Sequence, residues 1–310
     1  MVKERITLSR AIEGYFITAN ARRLSPHTLR DYDNTFRKLE EFLGRDPPLA
    51  SISPADIRAF LSSLNGLSAK TVRNYHTGLS ALWTWALKEG LVEKHIIRAI
   101  NPPKPEKRAI LPYTEQEIRA MLAACEQTRS YTRPGKRRCR NARPTAARDK
   151  AIIAFLVDTG VRASELCTLR VGDVKLANRQ ALVMGKGSKE RLVEFSPNTA
   201  KHLWRYLATR EDPEEHAYFF ASLDGQSLSR YALRRVILNI GKRAGVPNPT
   251  VHRFRHTFAI QFLRNQGNIF ALQRMLGHST LEMVNRYLKI AQADLKRAHQ
   301  TASPLANWGL

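Results

Sequence analysis

The sequence predicts a mainly α protein of two domains: a four-helix N-terminal domain and a mixed, mostly helical C-terminal domain with a small antiparallel β-sheet. Three observations predict it. Apolar residues recur at helical spacing along most of the 310 residues, and the runs are punctuated by serine, threonine, glycine and proline. Strand-like runs occur in one place, residues 180–184 and 191–195, either side of a glycine- and lysine-rich turn. Between the two helical regions lies Asn101-Pro-Pro-Lys-Pro-Glu-Lys-Arg108, where proline removes backbone donors and favours extended chain. These set a first domain over 1–100, a linker over 101–113 and a second domain over 114–310.

In order, Leu8, Ala11, Ile12, Tyr15 and Phe16 mark the first helix. Ser25-Pro26, a cap followed by proline at the first helical position, opens the second, with Leu29, Tyr32, Phe36, Leu39, Phe42 and Leu43 on its apolar side. Asp46-Pro-Pro48 is expected to stop it. Ser53-Pro54 opens the third, and Ser68 the fourth, which runs to Gly90. In the second domain Thr114-Glu-Gln-Glu117 reads as a capping box. Residues 127–150 hold nine Lys/Arg against one Asp and predict a mobile basic loop. An apolar helix over 148–160 follows, ended by Gly160, and a new helical turn starts at once with Val161-Arg162. After the hairpin come helices near 197–209 and 229–244. Thr250 to Tyr287 then predicts three short helices, the second ended by Gly277 and the third opened by Ser279-Thr-Leu-Glu282. One more helix is expected over 288–299.

Charged residues are 25% and hydrophobic ones 43%, an ordinary globular balance. The sign is not ordinary: Lys+Arg number 51 against 27 Asp+Glu, a formal net charge of +24. That excess implies a polyanionic partner, nucleic acid before membrane. No apolar run is long enough to span a bilayer, and the N-terminus lacks a signal-peptide core. Three cysteines, Cys125, Cys139 and Cys167, show no metal-ligand spacing. The expectation is a cytoplasmic protein that uses no metal or other cofactor.

The chemistry-bearing residues are Arg162, Lys186, His252, Arg255, His278 and Tyr287. On a helix, His252 and Arg255 share one face. His278 falls in the turn between two helices, so it can meet Tyr287. Each residue alone has a bland reading: a cap arginine, a solvated turn lysine, a structural histidine, a core-edge tyrosine. Taken alone, Thr250–Tyr287 leaves His256 as plausible a participant as His252. In order, the set describes two guanidinium forks, imidazoles, a lysine and a phenol. Guanidinium pairs suit the charge that builds on phosphate oxygens, and a phenol is a nucleophile once its proton leaves.

The motifs Thr159-Gly-Val-Arg-Ala-Ser-Glu-Leu166, Gly185-Lys-Gly-Ser-Lys-Glu-Arg191, His252-Arg-Phe-Arg-His256 and Leu276-Gly-His278 with Tyr287 resemble those of the tyrosine recombinase (phage integrase) family. The resemblance covers the second domain and, more loosely, the first. It implies a SAM-like DNA-binding first domain and a catalytic second domain, in an architecture nearer to Xer-type recombinases and transposon resolvases than to large phage integrases. It implies a site-specific recombinase in which Arg162, Lys186, His252, Arg255 and His278 surround the scissile phosphate. Tyr287 would be the nucleophile, leaving a 3′-phosphotyrosyl bond and a free 5′-hydroxyl. On chemical grounds His252 is the candidate to assist Tyr287, Lys186 to protonate the leaving oxygen, and His278 to bond the phosphate or pack against Tyr287, with His256 in support. The covalent bond would conserve the phosphodiester energy, so ATP is not needed.

The partner implied is double-stranded DNA with inverted-repeat sites, bound by a tetramer assembled through the segment 291–302. Candidate DNA contacts are Arg30, Lys70, Arg73, Arg137, Arg138, Arg140, Lys189 and Arg235. Two other functions fit parts of this pattern: a type IB topoisomerase-like enzyme with the same chemistry, and a non-enzymatic DNA-binding protein. The intact six-residue set argues against the second.

Overall fold

The computed structural model describes residues 6–104, 111–127, 141–185, 190–277 and 281–291. The chain divides into two compact units, Met1–Arg108 and Ala109–Leu310. Among the described residues no helix is long and apolar enough to cross a membrane.

The first unit is built on α1 (Leu8–Ala21), α2 (Pro26–Leu43), α3 (Pro54–Ser63) and α4 (Ala69–Lys88). The caps fall where the serines predict: Ser25, Ser53 and Ser68 each accept the amide three residues on at 3.2 Å. The prolines at 47 and 48 do not end α2. Gly44 does, in the left-handed conformation that closes a helix cheaply only with glycine (φ 62°). Pro47 instead accepts the Leu8 amide at 2.9 Å and ties down the start of α1. Leu8, Phe36, Leu39, Ile57, Phe60, Leu79 and Trp83 form the core. Gly78 of α4 lies against Thr35 of α2, where an added Cβ would sit 3.0 Å from the threonine side chain, so the glycine sets this close helix approach.

The second unit holds α5 (Glu115–Ala123), α6 (Ala146–Thr159), α7 (Ala163–Thr168), β1 (Val174–Lys175), β2 (Gln180–Met184), β3 (Glu190–Glu194), α8 (Pro197–Leu207), α9 (Arg230–Ala244), α10 (Val251–Arg264), α11 (Ile269–Leu276) and α12 (Leu281–Ala291). The α6 run is apolar on nearly all sides because it is central: Ala151, Ile152, Ile153, Phe155 and Leu156 are fully buried. Helices α5, α8 and α10 pack around it. The strands form one antiparallel sheet in the order β1-β2-β3, with Ala181 opposite Val193 facing the core and Leu182 opposite Leu192 facing out. The sequence shows the β2–β3 hairpin; β1, two residues long, carries no readable alternation.

Two expectations need correcting. The basic run is not a free loop at its C-terminal end. Arg143 and Arg148 both pair with buried Asp149, at 2.6 and 3.0 Å, Arg148 also donates to Ala221 O, and Lys150 pairs with Glu126. Burying Arg143 and Arg148 costs desolvation, which their bonds to Asp149 and to Ala221 O offset. Second, Leu288 to Ala291 do not begin a separate helix; they continue α12, which carries Tyr287. The remaining 292–299 lie outside the described residues, as do 105–110 of the linker and Arg137, Arg138 and Arg140.

Candidate active site

Four of the six candidate residues fall on described chain, all in the second unit. Arg162 stands at the turn between α6 and α7, Arg255 and His252 lie in the first turns of α10, and Tyr287 lies in α12. Lys186 and His278, with Lys189, lie outside the described residues.

Arg162 owes its place to Gly160. The glycine ends α6 with φ 61°, and an added Cβ would meet Phe258 at 2.6 Å and Leu276 at 3.1 Å. This lets the chain turn sharply, so that Arg162 opens α7. The Arg162 amide donates to Glu165 Oε2 at 2.7 Å and its Nη1 to Oε1 at 2.8 Å. Glu165 is 1% exposed, and Arg191 of β3 grips both its oxygens at 2.8 Å. One carboxylate thus holds two guanidinium groups from different elements. Burial alone would raise its pKa. The hydrogen bonds from Arg191 and from the Arg162 amide, and the Arg191 charge, outweigh that and bring it down to about 2.

The same arginines meet the end of α11. Arg191 Nε donates to Met275 O at 2.9 Å, Arg255 Nη2 to Leu276 O at 2.7 Å and Arg162 Nη2 to Gly277 O at 3.3 Å. The last carbonyls of a helix lack intrahelical partners and carry partial negative charge, so they attract cations. Three consecutive carbonyls here take three arginines. Arg255 is 2% exposed, and its Nη1 also donates to Gly160 O at 2.8 Å. Burial, then repulsion from Arg162, lower its pKa to about 10, against the opposing pull of Glu165 and Tyr287. It stays a cation at neutral pH, within electrostatic reach of both Arg162 and Tyr287. The Arg162 side chain is 34% exposed, so the cluster opens to solvent on that side.

Tyr287 is 5% exposed and packs with Ala259, Ile260, Leu272, Leu276 and Val284. Its hydroxyl is hydrogen-bonded to Nδ1 of His256 at 2.9 Å. The His252 ring meets the His256 ring edge-on, with centroids 4.2 Å apart. His256, which the sequence reading leaves in support, is therefore at the phenol itself. Its position four residues after His252, one helical turn along the same face, was the signal for it. Glu165 and Arg191 lie inside the sequence motifs, but pairing across 26 residues leaves no local trace in a sequence that would assign them a role.

The neighbouring Arg253 does something different. It stacks over Tyr113 at 4.1 Å, donates to Glu117 at 2.8 Å and bonds the carbonyls of Leu111, Pro112 and Pro247. It anchors the start of the unit. Of the candidate DNA contacts, Arg30, Lys70 and Arg73 are exposed on the first unit and Arg235 on the second. Among the described residues no group of His, Cys, Asp or Glu is placed to hold a metal ion.

Over residues 113–294 the chain matches the model of the phage integrase family, and over 12–90 that of the phage integrase N-terminal SAM-like domain. Tyrosine recombinase XerC of Mycobacterium tuberculosis is 31% identical over 295 residues, covering 91% of this chain and 94% of that one. The XerH site-specific recombinase bound to a palindromic difH substrate superposes with a TM-score of 0.68 at 22% identity, covering 94% of this chain and 84% of that one. A lambda integrase tetramer bound to a Holliday junction gives a TM-score of 0.70 at 20% identity, covering 89% and 79%.

Proposed function

The chain belongs to the phage integrase family, the tyrosine recombinases, and from that premise we propose how this site cuts and rejoins DNA. The protein is a tyrosine-type site-specific recombinase. Tyr287 Oη attacks a backbone phosphorus, the bond to the 5′-oxygen breaks, and a 3′-phosphotyrosyl link and a free 5′-hydroxyl result. Arg162 and Arg255 donate hydrogen bonds to the non-bridging oxygens, where charge builds. Preorganised donors of this kind provide about 3–4 kcal/mol each in comparable sites. Lys186 protonates the leaving oxygen, and His278 bonds the phosphate or packs on Tyr287. His252 is the group that assists loss of the phenol proton, with His256, hydrogen-bonded to the hydroxyl, in support. Rejoining is the same reaction run backwards from the 5′-hydroxyl, with no ATP.

One observation carries this reading. Two guanidinium groups are fixed on neighbouring carbonyls at the end of α11, and a buried phenol lies within electrostatic reach of one of them. The test is a duplex with a nick beside the cleavage position, which releases a short fragment and traps the covalent adduct. Wild type should give a protein–DNA band resistant to detergent, and Tyr287→Phe none.

The partner we propose is duplex DNA carrying inverted repeats, with four copies of the chain assembled through 291–302 around two sites, in the cytoplasm. Support comes from the palindromic substrate of XerH, the tetramer of lambda integrase and the net charge of +24. Arg30, Lys70, Arg73 and Arg235, all exposed, are proposed phosphate contacts, with Arg137, Arg138, Arg140 and Lys189.

A further inference from the structure

We propose that Tyr113 is a positioning residue for strand cutting: from the stretch ahead of α5 it holds the start of α10, and through that helix it sets where Arg255 stands. The proposal rests on Arg255 binding the phosphate and Tyr287 attacking it, and goes beyond that reading by naming what fixes the helix.

On α10 and its cap, Thr250, Arg253, Phe254 and Thr257 fall on one side, at the i, i+3, i+4, i+7 spacing, and Arg255 falls on the other. Arg255 secures its own side by donating to Gly160 O and Leu276 O at 2.8 and 2.7 Å. The opposite side meets Leu111-Pro112-Tyr113, which runs without regular structure up to the cap of α5. Tyr113 is 1% exposed. Its ring packs on Phe254 with centroids 4.6 Å apart, and the Arg253 guanidinium lies 4.1 Å from its centroid. Its amide donates to Thr257 Oγ1 at 2.7 Å. Its hydroxyl accepts the Thr250 amide at 2.8 Å and donates to Thr250 O at 3.1 Å. An amide only donates and a carbonyl only accepts, so both roles of the hydroxyl are fixed. Burial pushes the phenol up to about 12, so it stays protonated and serves both atoms at neutral pH.

Ring packing, the Tyr113 amide and Arg253 fasten residues 111–113 to α10, and they do so without the hydroxyl. The hydroxyl adds something those contacts do not: it bonds both backbone groups of Thr250, the residue that caps α10. The first amides of a helix lack intrahelical acceptors, so a helix start is held from outside or it frays. Arg255 lies just beyond that first turn, and a shift there carries its guanidinium along. A misplacement on the order of 1 Å costs up to about 100-fold where a group must meet a transition state.

The test uses the full-length protein in excess over the nicked duplex, with single-turnover adduct formation followed at several protein concentrations. Tyr113→Phe removes one oxygen and keeps the ring against Phe254 and Arg253. At saturating protein its rate should fall roughly 10-fold, while the concentration giving half the maximal rate and the final yield of adduct stay at wild type. The concentration reports DNA binding and the yield reports folded protein, so a shift in geometry moves the rate alone. Arg253→Lys is the structural comparison: it loosens the same stretch, spares both Thr250 bonds and should cut at close to the wild-type rate. A wild-type saturating rate in Tyr113→Phe, with or without a lower yield, would overturn the proposal. So would an equal slowing in Arg253→Lys, which would make the whole stretch a brace and the hydroxyl nothing special. Adduct formation by Tyr287→Phe would sink the nucleophile and this inference together. No adduct there, with a wild-type rate in Tyr113→Phe, would sink this inference alone.

Discussion

Replacing Glu165 by glutamine should weaken the second unit by an amount that depends on pH in a calculable way. The carboxyl is buried, accepts four hydrogen bonds from Arg162 and Arg191, and has its pKa lowered from 4.5 to about 2. A group depressed on folding stabilises the protein fully above its unfolded pKa, here 4.5. That contribution is lost as pH falls through about 2. The drop from 4.5 to about 2 corresponds to about 3 kcal/mol at pH 7. The same linkage leaves about 1 kcal/mol at pH 3. Glu165→Gln keeps the shape and removes the charge, so its deficit against wild type should be about 3 kcal/mol at pH 7 and less than half that at pH 3. The measurement is urea unfolding followed by hydrogen exchange in peptides from α6, α7 and α10, which report the second unit by itself. An equal deficit at both pH values would mean that the loss is packing, and that the carboxylate is not the counter-charge described above. No deficit at either pH would refute the network outright.

Gly160→Ala places a side chain where φ is 61° and Phe258 lies 2.6 Å away; a cost of about 2–4 kcal/mol follows, and a melting temperature unchanged within error would refute it. Arg253→Lys and Arg255→Lys should part company. The first loses the fork that serves Glu117 and three carbonyls, so it costs about 2–3 kcal/mol of stability while the folded fraction still forms adduct. The second loses adduct formation, as single-turnover trapping would read directly. Replacing Arg30, Lys70 and Arg73 together by alanine should flatten the dependence of log Kd on log salt by about 2–3, measured by titrating duplex DNA at several salt concentrations. An unchanged slope would remove these three from the phosphate contacts.

The helices of both units were legible because their ends are written locally. A serine at 25, 53 or 68 and a threonine at 114 satisfy amides within three residues, and glycine at 160 or 277 permits a left-handed turn. Gly44 ends α2, although the two prolines beyond it are the stronger breaking signal in the sequence. The site residues were legible from their types and order. What holds them was not: Glu165 and Arg191 join across a strand and a helix start, and the helix-end carbonyls that position the arginines are backbone atoms, which a sequence does not distinguish. Charge sign also misled locally. Arg143 and Arg148 add to the basic run, yet their cationic groups are taken up by Asp149.

The shared mounting of three arginines on Met275, Leu276 and Gly277 has a thermodynamic corollary. Two of them, Arg162 and Arg255, are the proposed donors to the non-bridging oxygens, which neither attack nor depart, so they would see the same charge whether the strand is being cut or resealed. Loosening the mount raises one barrier that both directions share. Cutting and resealing should then slow by the same factor, and the ratio of cut to intact DNA at equilibrium should stay where it was. A recombinase weakened here would be slower without leaving more broken strands at equilibrium.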